Sequence, residues 1–150
     1  MHRTNHDAAN RLTSLYNCLA NGAPLAYFDY QYDEASRITG CRREDGTQIY
    51  YQYDPASRLT GETWYEPAAM QPLYAFAWDY DLAGNRIYQN YNDRQTYYFY
   101  NPGNTLARKQ ELGADPIYYH YDNRGNCTII QESDGSSYFS YNYANLVTDI

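Results

Sequence analysis

Tyr50-Tyr51-Gln52-Tyr53-Asp54-Pro55-Ala56-Ser57-Arg58-Leu59-Thr60-Gly61 reads as an aromatic strand, a tight turn and the start of a returning strand. Versions of it recur along the chain: His6-Asp7-Ala8-Ala9-Asn10-Arg11 as a degenerate first copy, Tyr32-Asp33-Glu34-Ala35-Ser36-Arg37, Tyr80-Asp81-Leu82-Ala83-Gly84-Asn85-Arg86, Tyr100-Asn101-Pro102-Gly103-Asn104-Thr105, Tyr121-Asp122-Asn123-Arg124-Gly125-Asn126 and Tyr141-Asn142-Tyr143-Ala144-Asn145-Leu146. Successive Asp/Asn positions lie 26, 21, 27, 20, 21 and 20 residues apart. The period is about twenty, and the second long interval is accounted for by an insertion at Glu66-Pro67-Ala68-Ala69-Met70-Gln71-Pro72, whose prolines suit a surface loop. A fixed period at this scale defines the architecture.

Each copy reads as a hairpin. Before the Asp/Asn, rings alternate with other residues, as in Phe28-Tyr30-Tyr32, Tyr51-Tyr53, Phe76-Trp78-Tyr80, Tyr98-Tyr100, Tyr119-Tyr121 and Phe139-Tyr141. A period of two places them on one face of a strand, and aromatic residues fit a pleated surface. Tyr97 and Phe99 break the alternation, so the fifth copy is expected to be buried on both faces. At the turn, Asp accepts from a backbone N–H, Pro55 and Pro102 set φ at the second position, and Gly84, Gly125, Ser36 or Ser57 stands fourth, the pattern of a type I turn. Two forms are expected. Copies two and three return directly with Arg37 and Arg58, while copies four and six insert an Asn and close with a G1 bulge. In the shorter form Tyr32 should face Arg37, and Tyr53 should face Arg58, across the same hairpin. Glu44-Asp45-Gly46, Asn92-Asp93 and Asp134-Gly135 mark the opposite turns. Residues 7–20 carry the least clear pattern.

The fold class expected is therefore all-β, consecutive antiparallel β-hairpin repeats. A chain of 150 residues is long enough for a core. The mean hydropathy of −0.84 reflects tyrosine, which supplies 21 of the 27 aromatic residues, and not the aromatic poverty of disordered chains. A core of such rings should be rimmed by polar groups that meet the hydroxyls. Eleven Lys+Arg against 18 Asp+Glu give a net charge of −7, with Lys109 the single lysine. Nucleic acid and anionic membrane surfaces, which need clustered basic residues, are poor partners. No stretch is long and apolar enough for membrane insertion or a secretory h-region. Cys18, Cys41 and Cys127 lack disulfide or zinc spacing and read as packing residues.

The motif Tyr-x-Tyr-Asp-x-x-Ser/Gly-Arg-Leu/Ile-Thr at this spacing resembles the Rhs/YD repeat, best at Tyr30–Gly40 and Tyr51–Gly61, and covers about Asp7 to Thr148. The resemblance implies a long curved sheet, a segment of a YD-repeat β-shell, with residues 1–150 a single array of about six hairpins plus a partial seventh and a fragment of a larger shell. In bacterial Rhs and toxin-complex C proteins such a shell encloses a C-terminal toxin, and in teneurins it belongs to an adhesion protein. The implied partners are the remaining YD repeats and an enclosed toxin domain, and the implied location is secreted or cell-surface. Bacterial members end the shell in an Asp-Pro-x-Gly-Leu-type cleavage segment. Asp54-Pro55 belongs to a repeat turn and Asp115-Pro116 is followed by Ile117-Tyr118, so that cleavage has no counterpart in this chain.

The residues singled out are the repeat motif itself: Tyr32, Asp33, Arg37, Tyr53, Asp54, Arg58, Tyr80, Asp81, Gly84, Arg86, Tyr100, Asn101, Tyr121, Asp122 and Gly125. Catalysis needs one site with asymmetric environments, whereas these repeat with every turn, so no enzyme, cofactor or metal is expected. His2, His6 and His120 have no ligand spacing. The alternative is a carbohydrate-binding or adhesion module in which exposed rings stack on glycans. Glycan titration should then change the fluorescence of Trp64 and Trp78, and a flat titration favours the shell.

Overall fold

The computed structural model describes residues 2–68 and 71–149 and divides into two compact units, Met1–Ala77 and Trp78–Ile150. Every regular element among the described residues is a strand. The first unit holds β1 (His2–His6), β2 (Leu12–Cys18), β3 (Pro24–Tyr32), β4 (Ile38–Arg43), β5 (Gln48–Tyr53), β6 (Leu59–Tyr65) and the start of β7 (Tyr74–Tyr80). Each pairs antiparallel with the next in chain order. The second unit repeats the scheme with β8 (Arg86–Tyr91), β9 (Arg94–Tyr100), β10 (Leu106–Glu111), β11 (Ile117–Tyr121), β12 (Cys127–Glu132) and β13 (Gly135–Tyr138). A separate hairpin of β14 (Ser140–Tyr141) and β15 (Val147–Asp149) follows. The segment with the least clear sequence pattern contains β2, an ordinary strand between β1 and β3.

The opposite turns differ from one another. Asn92 and Asp93 both take positive φ, 46° and 69°, between the paired Tyr91 and Arg94, the geometry of a type I′ hairpin. The last of these turns is displaced by one residue from the expected dipeptide. Gly135 already pairs with Glu132, so Ser133-Asp134 makes the bend. The insertion after β6 is a loop, and Ala69 and Met70 lie outside the described residues.

The expected core is largely absent, and the reason is architectural. Within each unit, among the described residues, a strand packs chiefly against the strands beside it. Among the described residues Ile49, 5% exposed, is the buried hydrophobic side chain, joined by the buried polar residues Ser14, Thr47 and Thr96. On β5 and β9 the rings on the motif face are half-buried and those on the other face exposed: Tyr51 and Tyr53 against Tyr50, and Tyr98 and Tyr100 against Tyr97 and Phe99. The fifth copy is therefore not buried on both faces. Tyr97 and Phe99 are 37% and 43% exposed and are covered only by neighbours on that face, Tyr88 at 5.4 Å between ring centroids and the Arg108 guanidinium at 3.8 Å. Stability in such an array comes from each repeat against its neighbours.

Among the described residues β1 stands first in the strand order, paired with β2, and all five of its residues are exposed. An outer strand can template another, so the purified chain is expected to self-associate. Sedimentation across micromolar concentrations checks this, and a monomer throughout would contradict it.

Candidate functional site

All seven Asp/Asn turns share one geometry. The Asp or Asn backbone N–H donates to the carbonyl four residues on, as in Asp33 to Arg37, Asp54 to Arg58, Asp81 to Asn85, Asn101 to Thr105 and Asp122 to Asn126. The N–H of the fourth residue donates back to the Asp/Asn carbonyl. That fourth residue always has a positive φ: Asn10, Ser36, Ser57, Gly84, Asn104, Gly125 and Asn145. This is a type I turn closed by a G1 bulge. The two expected turn forms are thus one form, with Ser36 and Ser57 in the left-handed conformation that glycine takes elsewhere. The first copy is degenerate only in lacking a tyrosine, since Asp7 and Arg11 make the same contacts as later pairs.

The aspartate organises each turn. Asp33 Oδ1 accepts the Arg37 backbone N–H at 2.9 Å while Oδ2 accepts Arg37 Nε at 2.7 Å. Asp54 does the same with Arg58 at 2.9 and 2.6 Å. In the second unit Asn replaces the arginine: Asp81 takes the Asn85 backbone and side-chain amides at 2.8 and 2.9 Å, and Asp122 takes those of Asn126, both at 2.9 Å. Asn101 reaches Thr105 Oγ1 at 3.2 Å.

At four turns the side chain that closes one turn also holds the next. Arg11 Nη1 donates to Asp33 O at 3.0 Å and Ser36 Oγ at 3.3 Å, and Arg37 Nη1 donates to Asp54 O and Ser57 Oγ at the same distances. The guanidinium of Arg11 stacks 4.8 Å from the Tyr32 ring, and that of Arg37 lies 4.9 Å from Tyr53. The tyrosine returns the contact: Tyr32 OH donates to Leu12 O, Tyr53 to Ile38 O, Tyr100 to Arg86 O and Tyr121 to Leu106 O, at 2.7, 2.8, 3.0 and 2.9 Å. The expected Tyr32–Arg37 pair within one hairpin is accordingly corrected. The bulge shifts register between Gln31 and Tyr32, so Tyr32 faces Ile38, and Arg37 is released to the following repeat. The same register puts Tyr53 opposite Leu59 in place of Arg58. Tyr80 ends β7 half-buried. Arg86 stands one position past the closing residue and lies 4.8 Å over Tyr98.

Donor and acceptor lengths match along the ladder. A long arginine meets a short serine at the next turn. A short asparagine meets a longer acceptor, Asn85 Nδ2 to Asn104 Oδ1 at 2.9 Å and Asn126 Nδ2 to Asn145 Oδ1 at 3.1 Å. Arg37→Asn alone should therefore lower the melting midpoint, and adding Ser57→Asn should recover part of the loss. Recovery read by thermal denaturation checks the rule, and independent additive losses would refute it.

These contacts set the pH range of the fold. Asp7, Asp33 and Asp54 are held below the usual 3.8, chiefly by the backbone N–H of Arg11, Arg37 and Arg58. Asp81 and Asp122 are lowered chiefly by the side-chain amides of Asn85 and Asn126. A depressed carboxyl contributes stability that is present above 3.8 and lost as pH falls through its lower folded value. Burial raises Tyr51 from 10.0 to about 12, so its contribution is present below 10.0 and lost as pH rises through about 12. The melting midpoint should be level between about pH 5 and 9, falling steeply on the acid side below 3.8. A midpoint unchanged at pH 2 would contradict the aspartate turns.

No family model and no curated protein sequence matches the chain. Solved structures do share its fold. The crystal structure of TcdB2-TccC3-Cdc42 superposes with a TM-score of 0.82 at 17% identity, over 95% of this chain and 9% of that one. The Photorhabdus luminescens Tc holotoxin pore with a mutated TccC3 gives 0.75 at 19% identity, over 91% and 8%. The crystal structure of TcdB2-TccC3 gives 0.76 at 19% identity, over 96% and 8%. The chain thus has the fold of a YD-repeat hairpin segment, and spans less than a tenth of the length of these solved chains.

Proposed function

We propose that the chain is a structural segment of an Rhs-type β-shell, a single YD-repeat array that helps encapsulate and deliver a C-terminal toxin and has no catalytic activity of its own. The carrying observation is the turn ladder: Arg11, Arg37, Asn85 and Asn126 each close one turn and hold the next. Such a unit is satisfied only by a further unit of the same kind, which is the chemistry of a wall built by repetition. The likeness to the TcdB2-TccC3 structures supports the shell. Its partners are then further YD repeats and an enclosed toxin domain, and its place is secreted or at the cell surface.

Sequencing the DNA on both sides of the coding frame tests this first: Tyr-Asp turns should continue at the same spacing toward an Asp-Pro-x-Gly-Leu segment and an unrelated domain. In the full product, limited proteolysis should spare that domain, and Arg37→Ala should expose it. A downstream domain cleaved as fast in the intact product as when expressed alone would overturn the reading.

A further inference from the structure

The ladder leaves one group on the motif face of the first unit unexplained. Arg43 pairs with Phe28 in the β3–β4 register. Its Nε is buried without a hydrogen-bond partner, and its guanidinium belongs to none of the ion pairs among the described residues. Buried donors are otherwise satisfied, and a cationic one is best satisfied by an anionic acceptor.

Arg43 borders a concavity of about 400 Å³ walled by Phe28, Tyr51, Tyr53 and Trp64, a size usual for small-molecule sites. Ile49, the buried apolar side chain, also lines it. The register places these groups together, since Cys41 pairs with Ile49 and Ile49 with Trp64 on adjacent strands. Burial raises the Cys41 thiol and takes the Tyr51 phenol to about 12, so both walls are neutral near pH 7. The carboxylates nearby are engaged. Glu62 pairs with Tyr51 across the sheet and accepts the Trp64 indole N–H, and Asp45, which lies within the field of the Arg43 charge, spends its carboxylate on the Thr47 backbone N–H at 2.8 Å and forms no ion pair with Arg43.

We propose that this concavity is a binding site for a small aromatic anion, its ring among Phe28, Tyr51, Tyr53 and Trp64 and its carboxylate or sulfonate on Arg43. Flat rings suit the aromatic walls, and the anion supplies the acceptor that Arg43 Nε lacks. Nothing in the shell reading requires such a ligand, so the site stands or falls separately.

Two fluorescent probes of nearly the same shape test it on the whole chain: 1-anilinonaphthalene-8-sulfonate, and its uncharged counterpart N-phenyl-1-naphthylamine. The sulfonate should saturate one site per chain and quench Trp64 by energy transfer. Arg43→Gln should weaken it at least about tenfold and leave the neutral probe within about twofold. Arg42→Gln, on the opposite face, should change neither. Sulfonate binding unchanged in Arg43→Gln, or many equivalent sites per chain, would overturn the proposal. So would equal loss of both probes, which would report distortion of the concavity.

Discussion

Tyr53→Ala should cost about 3 kcal/mol of unfolding free energy: roughly half from the half-buried ring, about 1 kcal/mol from the hydroxyl bond, and the remainder from the stacked guanidinium. The structural basis is that one side chain joins two repeats, its hydroxyl on Ile38 O at 2.8 Å and its ring 4.9 Å from Arg37. Tyr53→Phe keeps ring and stacking, so it should cost only about 1 kcal/mol. Chemical denaturation of the three proteins measures both. A double-mutant cycle then decides the partner: Tyr53 with Arg37 should couple by about 0.5–1 kcal/mol, and Tyr32 with Arg37 by much less. Coupling in the second pair alone would restore the pairing within one hairpin.

That cycle bears on what the sequence could disclose. Strands, turns and period were legible because alternating rings, present in six copies, and Asp- or Asn-led turns, present in seven, are local patterns, and the hairpins stand where these patterns put them. The direction of the arginine was not. It depends on one bulge residue per turn, and a single-residue register change moves every later contact. Serine at positive φ concealed the bulge in copies two and three, although Asn10, Gly84, Asn104, Gly125 and Asn145 occupy the same place and are residues that tolerate it. Aligning every copy on its Asp or Asn would have exposed the shared position. The same alignment would have added Asp7, Arg11, Asn85 and Asn126 to the candidate residues. Arg43 could not have been found this way, because its role rests on strand register two hairpins wide. The divergence between copies also shows how few positions this fold constrains, which fits a structural likeness that persists at 17–19% identity.

Gly46→Ala should be among the most damaging single-methyl changes in the chain, at about 3 kcal/mol. Two effects add there. Gly46 takes φ +83° at the turn between β4 and β5, and a Cβ built on it would lie 2.6 Å from Pro67 Cγ in the loop after β6. Carbon atoms rest at about 3.5–4.0 Å, and a proline ring can retreat only by a change of pucker. Gly84 separates the two effects, since it has φ +91° and nothing within 4 Å of a new Cβ. Gly84→Ala should therefore cost only the backbone part, about 1 kcal/mol. Removing the ring from Gly46→Ala with Pro67→Ala should bring its loss down toward the Gly84→Ala value. Denaturation midpoints of the three variants and the parent chain measure this. Equal losses for Gly46→Ala and Gly84→Ala would mean that the Pro67 loop does not rest on the β4–β5 turn. A larger loss at Gly46, relieved by Pro67→Ala, would place the inserted loop as a brace on the turn of the neighbouring hairpin.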